Sequence, residues 1–421
     1  MMVKELVMNG GSAINVIIGQ SGGPTSVINS SLAGVISAAI DHGFDHVYGM
    51  ENGIAGLIDG RVVEIDQEAY KEKNIEAELR SEPAAILGSC RYKLPEDLTD
   101  EVYGKIFENL RKLEITSLIY IGGNDSMDTV VKLNKYMEKE EIEGINVLGV
   151  PKTIDNDLRE MDHSPGFASA AKYVATALKL VRTDVNIYNV KSVTFVEIMG
   201  RNAGWLAASS LLANYKEPRR AVNLLYLKEV EKTKEEILAD IKEVFTYENN
   251  IVVAVSEGFM DKDGYFEKEE KASFDSGFGH PVISGIGEKL SNFVSRELGV
   301  KSRSVELSIL QRTSFLISGQ DSKEAFELGE KALEKSMKES NLIPVVKRKD
   351  TESYEYYIDF VKPDLIANEE KFIPQDWLES YTVLEDKIID YALPLIQGEV
   401  KESFKNGMIS FIGLDDFTKK V

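Results

Sequence analysis

Residues 145–160 read INVLGVPKTIDNDLRE. The first six are almost continuously apolar and predict a buried strand that ends at Pro151. Lys152, Thr153, Asp155, Asn156 and Asp157 then crowd into six positions. A turn needs one Asp or Asn to bond its own backbone, and a solvated loop needs no such density. Two carboxylates, an amide, a hydroxyl and an ammonium sit directly after a buried strand. That is where an open α/β sheet gathers its ligands, at the carboxyl ends of the strands. The stretch therefore predicts a sheet and a site together.

The same grammar recurs along the chain. Residues 13–19 read as a strand and 27–41 as the helix that follows. Residues 116–121 and 145–150 are further strands, with a helical pattern over 126–136 between them, and 192–198 and 250–255 repeat the motif. Near-continuous apolar strands alternating with amphipathic helices predict parallel sheets covered on both faces. At 421 residues the chain is too long for one core and suits two or three domains. The charged stretch 261–276 is expected to be a solvated excursion. Beyond Pro344 the sequence is broken by Pro363, Pro374 and Pro394, and reads as a carboxy-terminal extension without a catalytic signal.

The composition is 43% hydrophobic and 28% charged, with a net charge of −21. That charge argues against nucleic-acid binding, whose affinity comes mainly from neutralising phosphates. A phosphorylated small molecule remains compatible, but its site must gather cations locally against the global field. Cys90 is the sole cysteine, which excludes an intrachain disulfide and a cysteine cluster for zinc. No apolar run has the length to span a bilayer, and the amino-terminal stretch has no signal-peptide pattern. A cytoplasmic protein with no membrane partner is expected.

Two other strand ends are chemically loaded. After the first comes GQSGGPTS (19–26), where Gly22 and Gly23 let backbone amides approach an anion. After the second comes GGNDSMDT (122–129), where Asn124 and Asp125 add oxygen ligands and Ser126 can cap the helix. Two Gly-Gly cradles and a carboxylate-rich loop with a lysine suit phosphoryl transfer, which needs anion cradles, cations and a carboxylate base.

SGGPTSVIN (21–29), LGSCRYKL (87–94), GGNDSMDT, PKTIDND (151–157) and MGRNAGWLA (199–207) together resemble the phosphofructokinase family, in that order and at compatible spacing. SEGF around Glu257 and RSVELSILQR (303–312) continue the resemblance, which spans roughly 14–330. It implies an α/β fold of two doubly wound Rossmann-like domains, with the active site in the interdomain cleft. The chain of that family crosses between domains. A diphosphate-binding domain is expected over 1–166 and 311–335, a sugar-phosphate domain over 167–310 and 336–375, and a carboxy-terminal extension over 376–421.

The resemblance also assigns roles. Asp155 is implied as the base that takes the C1 hydroxyl proton of fructose 6-phosphate, with Thr153 and Ile154 shaping the sugar pocket and Asp157 orienting the base or a metal-bound water. Lys152, Arg91 and the Gly22–Gly23 amides would hold pyrophosphate, with Mg²⁺ bridging its oxygens. Met199, Gly200 and Arg201 would line the sugar, and Arg201 would support the transferred group. Glu257 would bond sugar hydroxyls, and Arg303 and Arg312 the 6-phosphate. Asn124 stands where much of the family has an aspartate for the metal. A neutral amide is a weaker ligand for a hard cation, so Asp125 or the diphosphate itself is the alternative holder. A homodimer or homotetramer is implied, since relatives complete the sugar-phosphate site with a neighbour's basic residues.

Two positions point to the phosphoryl donor. ATP-using members resemble GGDGS and PGTIDND, whereas this chain has Asp125 and Lys152 at the variable glycines. A carboxylate at 125 would repel an α-phosphate, and the Lys152 ammonium can compensate a terminal diphosphate. Both changes are those of the pyrophosphate-dependent branch, and Glu51 agrees, lying where ATP-dependent relatives often carry a tyrosine against the adenine. The alternatives are ATP-dependent transfer, a non-catalytic metabolite sensor, and an oxidoreductase, the last opposed by the lack of GxGxxG after the first strand. On the acceptor side, Ser192 (preceded by Lys191) and Ile309 replace polar contacts to the sugar phosphate, so activity on sedoheptulose 7-phosphate is also expected. Cys90 is read as a packed thiol, His163 as a loop histidine, and Trp205 and Trp377 as core anchors.

Overall fold

A computed structural model describes residues 13–266, 285–401 and 403–421. Two sheets organise them. In the first, β1 (Asn15–Gln20), β4 (Ile115–Gly122) and β5 (Asn146–Pro151) lie parallel, and β2 (His46–Met50) runs parallel to β1 on its other side. The strands β1 and β4 are buried along nearly their whole length because helices cover both faces, which is why they read as unbroken apolar runs. β3 (Val62–Ile65) pairs antiparallel with β2. The second sheet is all parallel, in the order β7 (Leu224–Tyr226), β8 (Asn250–Ser256), β6 (Ser192–Ile198), β9 (Lys301–Glu306). The α/β class and two doubly wound layers expected from the sequence are what is found.

After β9 the chain returns to the first sheet. Helix Gly319–Ser336 packs along helix Ile28–Asp41 at very close range. A Cβ on Gly34 would sit 2.0 Å from the Phe326 carbonyl oxygen, and one on Gly329 2.2 Å from that of Ser31. Only glycine permits that approach.

The boundaries differ from expectation beyond this helix. β10 (Ile343–Arg348) and β11 (Tyr356–Val361) pair antiparallel and pack on the first domain, not the second. Val346 joins the core of Val16, Ile18 and Ile119, and Ile343 and Val345 pack on Met127, Leu158 and Met161. The residues placed over 336–375 in the sugar-phosphate domain therefore belong largely to the other one. Nor is 376–421 a unit of its own. Leu384 and Ile388 of helix Tyr381–Ala392 enter the core of the second domain, and β14 (Thr418–Lys420) pairs antiparallel with β3, closing that edge of the first sheet. Between them, β12 (Phe404–Lys405) and β13 (Met408–Ile409) form a small exposed hairpin.

The expected solvated excursion is also corrected where it is described. Asp261 is buried and accepts hydrogen bonds from the backbone of Tyr265 and Phe266, and the Phe266 ring is buried too. An apolar ring inside the charged run anchors it. Residues 267–276 of that run lie outside the described residues. Among the described residues, no helix is long and apolar enough to cross a membrane.

Candidate active site

The carboxyl ends of β1, β4 and β5 are laced by backbone bonds. Ser21 N–H donates to the Ile121 carbonyl and Lys152 N–H to that of Gly122, both at 2.9 Å. Gly22 N–H donates to the Cys90 carbonyl at 3.0 Å, which brings the 87–94 loop to the same place and takes up the Gly22 amide that was expected to meet pyrophosphate. Gly22 has φ +78°, a conformation open to glycine and costly to L residues.

Two cations converge on this Gly-Gly turn. The Lys152 ammonium donates to the Gly23 carbonyl, and lies 3.4 Å from where a Cβ on Gly22 would be. An Arg312 guanidinium nitrogen lies 3.1 Å from the corresponding point on Gly23, so the residue expected to meet the 6-phosphate stands instead against this turn. The Arg312 Nε is buried and has no hydrogen-bond partner among the described residues, which leaves a donor open to an anion. Arg91 is near enough for its charge to depress both Lys152 and Arg312. These are the cations that a protein of net charge −21 must collect to hold a phosphate.

Lys152 is 3% exposed. Burial pushes its ammonium down to about 8; Asp155 opposes that shift, while Arg312 and Arg91 add to it. Burial also raises Asp155 to about 6, with Glu257 adding to the rise and Lys152, Arg312 and Arg201 opposing it. Asp157 is raised to about 7 by burial and then by Asp155. Asp155 thus feels charges from both domains, Glu257 and Arg201 lying after β8 and β6. The strand ends of the two sheets face one another across a cleft, with this carboxylate inside it.

Thr153 Oγ1 accepts the Asp155 N–H at 3.1 Å, and Ile154 is buried in the second domain's core. Across the cleft, Met199 N–H donates to the Gln311 side chain, and Gly200 has φ +127° with its carbonyl held by Ser256 Oγ. Arg201 Nε lies 3.7 Å from Glu257, whose carboxyl is raised by burial. A Cβ on Gly258 would lie 2.2 Å from the Arg201 carbonyl oxygen, so a glycine is needed for the two loops to touch.

The chain aligns over residues 15–335 with the phosphofructokinase family model. The chain belongs to the phosphofructokinase family. It is 35% identical over 402 residues to a pyrophosphate--fructose 6-phosphate 1-phosphotransferase of Halomonas elongata, covering 94% of each chain. A crystal structure of the pyrophosphate-dependent phosphofructokinase from Nitrosospira multiformis superposes with a TM-score of 0.84 at 30% identity, over 97% of this chain and 99% of that one. A sulfofructose kinase of Alkalicoccus urumqiensis is 31% identical, over 90% of this chain and 96% of its own.

Several expected roles do not survive the geometry. Asn124 is not free to hold a metal: its Nδ2 donates to the Glu369 carbonyl at 2.9 Å and its Oδ1 accepts the Asn368 N–H. Asp125 remains available, an exposed carboxylate in the first turn of helix Asn124–Lys139, paired with Lys93 at 2.9 Å. Arg303 does not reach the cleft of its own chain. It pairs in register with Thr194, five residues before Met199 and so roughly 16 Å along the strand, and its guanidinium meets Asp184 at 3.1 Å. Ile309 is 58% exposed on the turn before Arg312. Ser192 opens β6 at the end away from the cleft, its hydroxyl taken by Asn250.

Other residues carry more than the sequence suggested. His163 is buried, with Nδ1 2.8 Å from Asp162 and Nε2 2.6 Å from Glu324. Burial opposes its charge, but Glu324 and Asp162 outweigh burial and lift it to about 9. It ties the segment after the Lys152–Asp157 loop to helix Gly319–Ser336. Lys371, in the stretch read as free of catalytic signal, has its ammonium among Asp157, Asp162 and Arg348. No local pattern marks it. Cys90, Trp205 and Trp377 pack as read, the two indoles edge-on at 5.7 Å.

Proposed function

We propose that this chain reversibly transfers a phosphoryl group from pyrophosphate to the C1 hydroxyl of D-fructose 6-phosphate. The observation that carries this reading is the convergence of Lys152 and Arg312 on the Gly22–Gly23 turn, beside the carboxylate of Asp155. Lys152 and Arg312 hold the diphosphate, with Arg91 at the rim. Asp155 accepts the C1 hydroxyl proton as that oxygen bonds to the terminal phosphorus. The bridging P–O bond breaks, and the leaving phosphate keeps its electrons beside Lys152. A carboxylate near 6 suits a base working at neutral pH. Arg201, placed by the Gly200 turn, and Glu257 orient the sugar.

Magnesium fits this site as an ion carried by the diphosphate, with Asp125 as its protein ligand, where it would neutralise charge on the transferred group. Among the described residues there is no ready-made cage of three or more metal-ligating side chains, and Mg²⁺ commonly relies on one or two carboxylates plus substrate phosphates. Homo-oligomerisation completes the acceptor end. Arg303 is held by Asp184 away from its own cleft, and the sequence around Asp184 exposes Leu180, Ile187, Tyr188 and Val190. A neighbouring subunit's Arg303 can then supply the distal anion contact.

The test is a coupled assay with pyrophosphate and with ATP, each with fructose 6-phosphate. Pyrophosphate should be used and ATP hardly at all; a preference for ATP would overturn the donor assignment. The distal anion is the least constrained part of the site, and one relative is named a sulfofructose kinase, so sulfofructose belongs in the same assay.

A further inference from the structure

Four consecutive residues far from every recognised motif touch the loops after three strands of two domains. Asn368 and Glu369 hold both arms of the Asn124 amide, after β4. Glu369 also meets Arg159 at 2.8 Å. Lys371 N–H donates to the Asp157 carbonyl at 2.7 Å, after β5. Its ammonium donates to the Asp162 carbonyl at 2.8 Å and reaches Asn156 Oδ1 at 3.3 Å. On the opposite side of the cleft, after β6, Asn202 donates to the Glu370 carboxylate at 2.6 Å and the Trp205 indole N–H to the Lys371 carbonyl at 2.9 Å.

We propose that Asn368–Lys371 is a clasp that fixes the catalytic loop against both domains, with Lys371 as its positioning residue. Asn156, between the two aspartates, has φ +56°, a left-handed conformation. Such a backbone costs most L residues about 1–2 kcal/mol and asparagine less, since its short amide can bond locally. Here the Asn156 amide is held by Ser164 N–H, Tyr391 and Lys371. The turn at Asn156 sets the direction of Asp155, so holding Asn156 aims the base. Lys371 is not among the groups facing the Gly22–Gly23 turn, so its loss bears on turnover, whereas the Asn368–Glu369 end abuts the helix turn that carries Asp125.

The charge of Lys371 gives a separate signature. Burial lowers its ammonium to about 8; Asp162 and Asp157 oppose that shift and Arg348 adds to it. Asp157 itself is faced by Asp155 and Glu370 as well as Lys371. As pH rises through about 8, Lys371 loses its proton and its attraction for the catalytic loop. Lys152 titrates nearby, but bound diphosphate raises its pKa, so an alkaline limb of kcat at saturating pyrophosphate is the expected signature of Lys371.

The clasp rests on Asp155 being the base of the proposed transfer, and three variants test it. Lys371→Met should lower kcat on the order of tenfold to a hundredfold, the scale of a displaced catalytic group, with the pyrophosphate KM within about twofold. Lys371→Arg, which keeps its charge at all working pH, should restore part of kcat and remove the alkaline limb near 8. Asn124→Ala cuts the far end of the clasp without touching Lys371, and should lower kcat severalfold. Thermal melts establish that each variant is folded. If Lys371→Met does not fold, Asn124→Ala decides alone. Unchanged kcat in a folded Lys371→Met or in Asn124→Ala overturns the clasp, as does a higher Mg²⁺ requirement in Asn124→Ala, which would return that residue to the metal. If the wild type does not turn over pyrophosphate with fructose 6-phosphate, the proposed function fails first.

Discussion

Lys152→Met separates what the lysine does for the ligand from what it does to the fold. Its ammonium is buried beside two guanidinium groups and is pushed from 10.5 to about 8. A depression of that size corresponds to a cost on the order of 3 kcal/mol in the folded, ligand-free protein at neutral pH. Because the folded pKa is the lower one, the unfolded chain binds more protons between about 8 and 10.5. The cost is therefore fully present below about 8 and is relieved as pH rises towards 10.5. Methionine fills a similar volume without charge but leaves the Gly23 carbonyl without its ammonium donor, a loss of about 1–2 kcal/mol. The variant should thus be about 1–2 kcal/mol more stable than wild type at pH 7. That is a rise of a few degrees in Tm, at roughly 2–4 °C per kcal/mol for domains of moderate size. The gain should shrink at pH 9. Pyrophosphate should then bind worse by the worth of a hydrogen bond to a charged group, about 1.5–3 kcal/mol, raising its KM on the order of tenfold to a hundredfold. Melting curves at pH 7 and 9, with and without magnesium pyrophosphate, read all of this. A variant that melts below wild type without ligand and keeps its pyrophosphate KM would refute both halves of the reasoning.

Asp155→Ala should lower turnover by about two to four orders of magnitude with pyrophosphate binding nearly intact, measured by steady-state kinetics and calorimetry; retention of a tenth of wild-type turnover would remove it as the base. Asp125→Gly combined with Lys152→Gly should weaken pyrophosphate use and open a route to ATP, checked by giving each donor separately. Since Ser192 and Ile309 contribute no polar contact in the cleft, sedoheptulose 7-phosphate should be accepted, at a cost of about 1–3 kcal/mol in kcat/KM relative to fructose 6-phosphate. A discrimination beyond about a thousandfold would show that the remaining cations grip the shorter sugar tightly.

The strands around the cleft were legible because burial on both faces leaves uninterrupted apolar runs: 192–198 as read is the strand observed, and 250–255 and 145–150 each fall within a residue of theirs at either end. The loaded strand ends were legible for the same reason that sites form there, since dense polar groups after an apolar run have no packing role. β2 and β3 were not read, being short, and β14 offers only three residues, two of them exposed lysines, whose pairing depends on where β3 lies. Asn124 could be misread as a metal ligand because its partners, Asn368 and Glu369, bind it through backbone groups that any sequence supplies. Lys371 was invisible for a related reason: a lysine whose ammonium turns inward looks in sequence like a surface one. The 336–375 boundary failed where β10, an edge element on the first domain, carries no motif to say which core its Val345 and Val346 will join.

The late-arriving pieces of the first sheet have a consequence for synthesis. When the ribosome has made β5, the side chains of Val16, Ile18, Ile119 and Ile121 still wait for Leu328, Ala332 and Leu333 of helix Gly319–Ser336. At about 5–20 residues per second, that helix follows roughly 10–40 s later. The second sheet is complete in strands at Glu306, yet it too waits, for Leu384 and Ile388. Each nascent half would therefore hold an uncovered apolar face while the other is translated, a state that invites chaperone capture or pairing between neighbouring ribosomes. The cooperative folding unit is then the released chain, and neither half should be expressible alone as a soluble fragment.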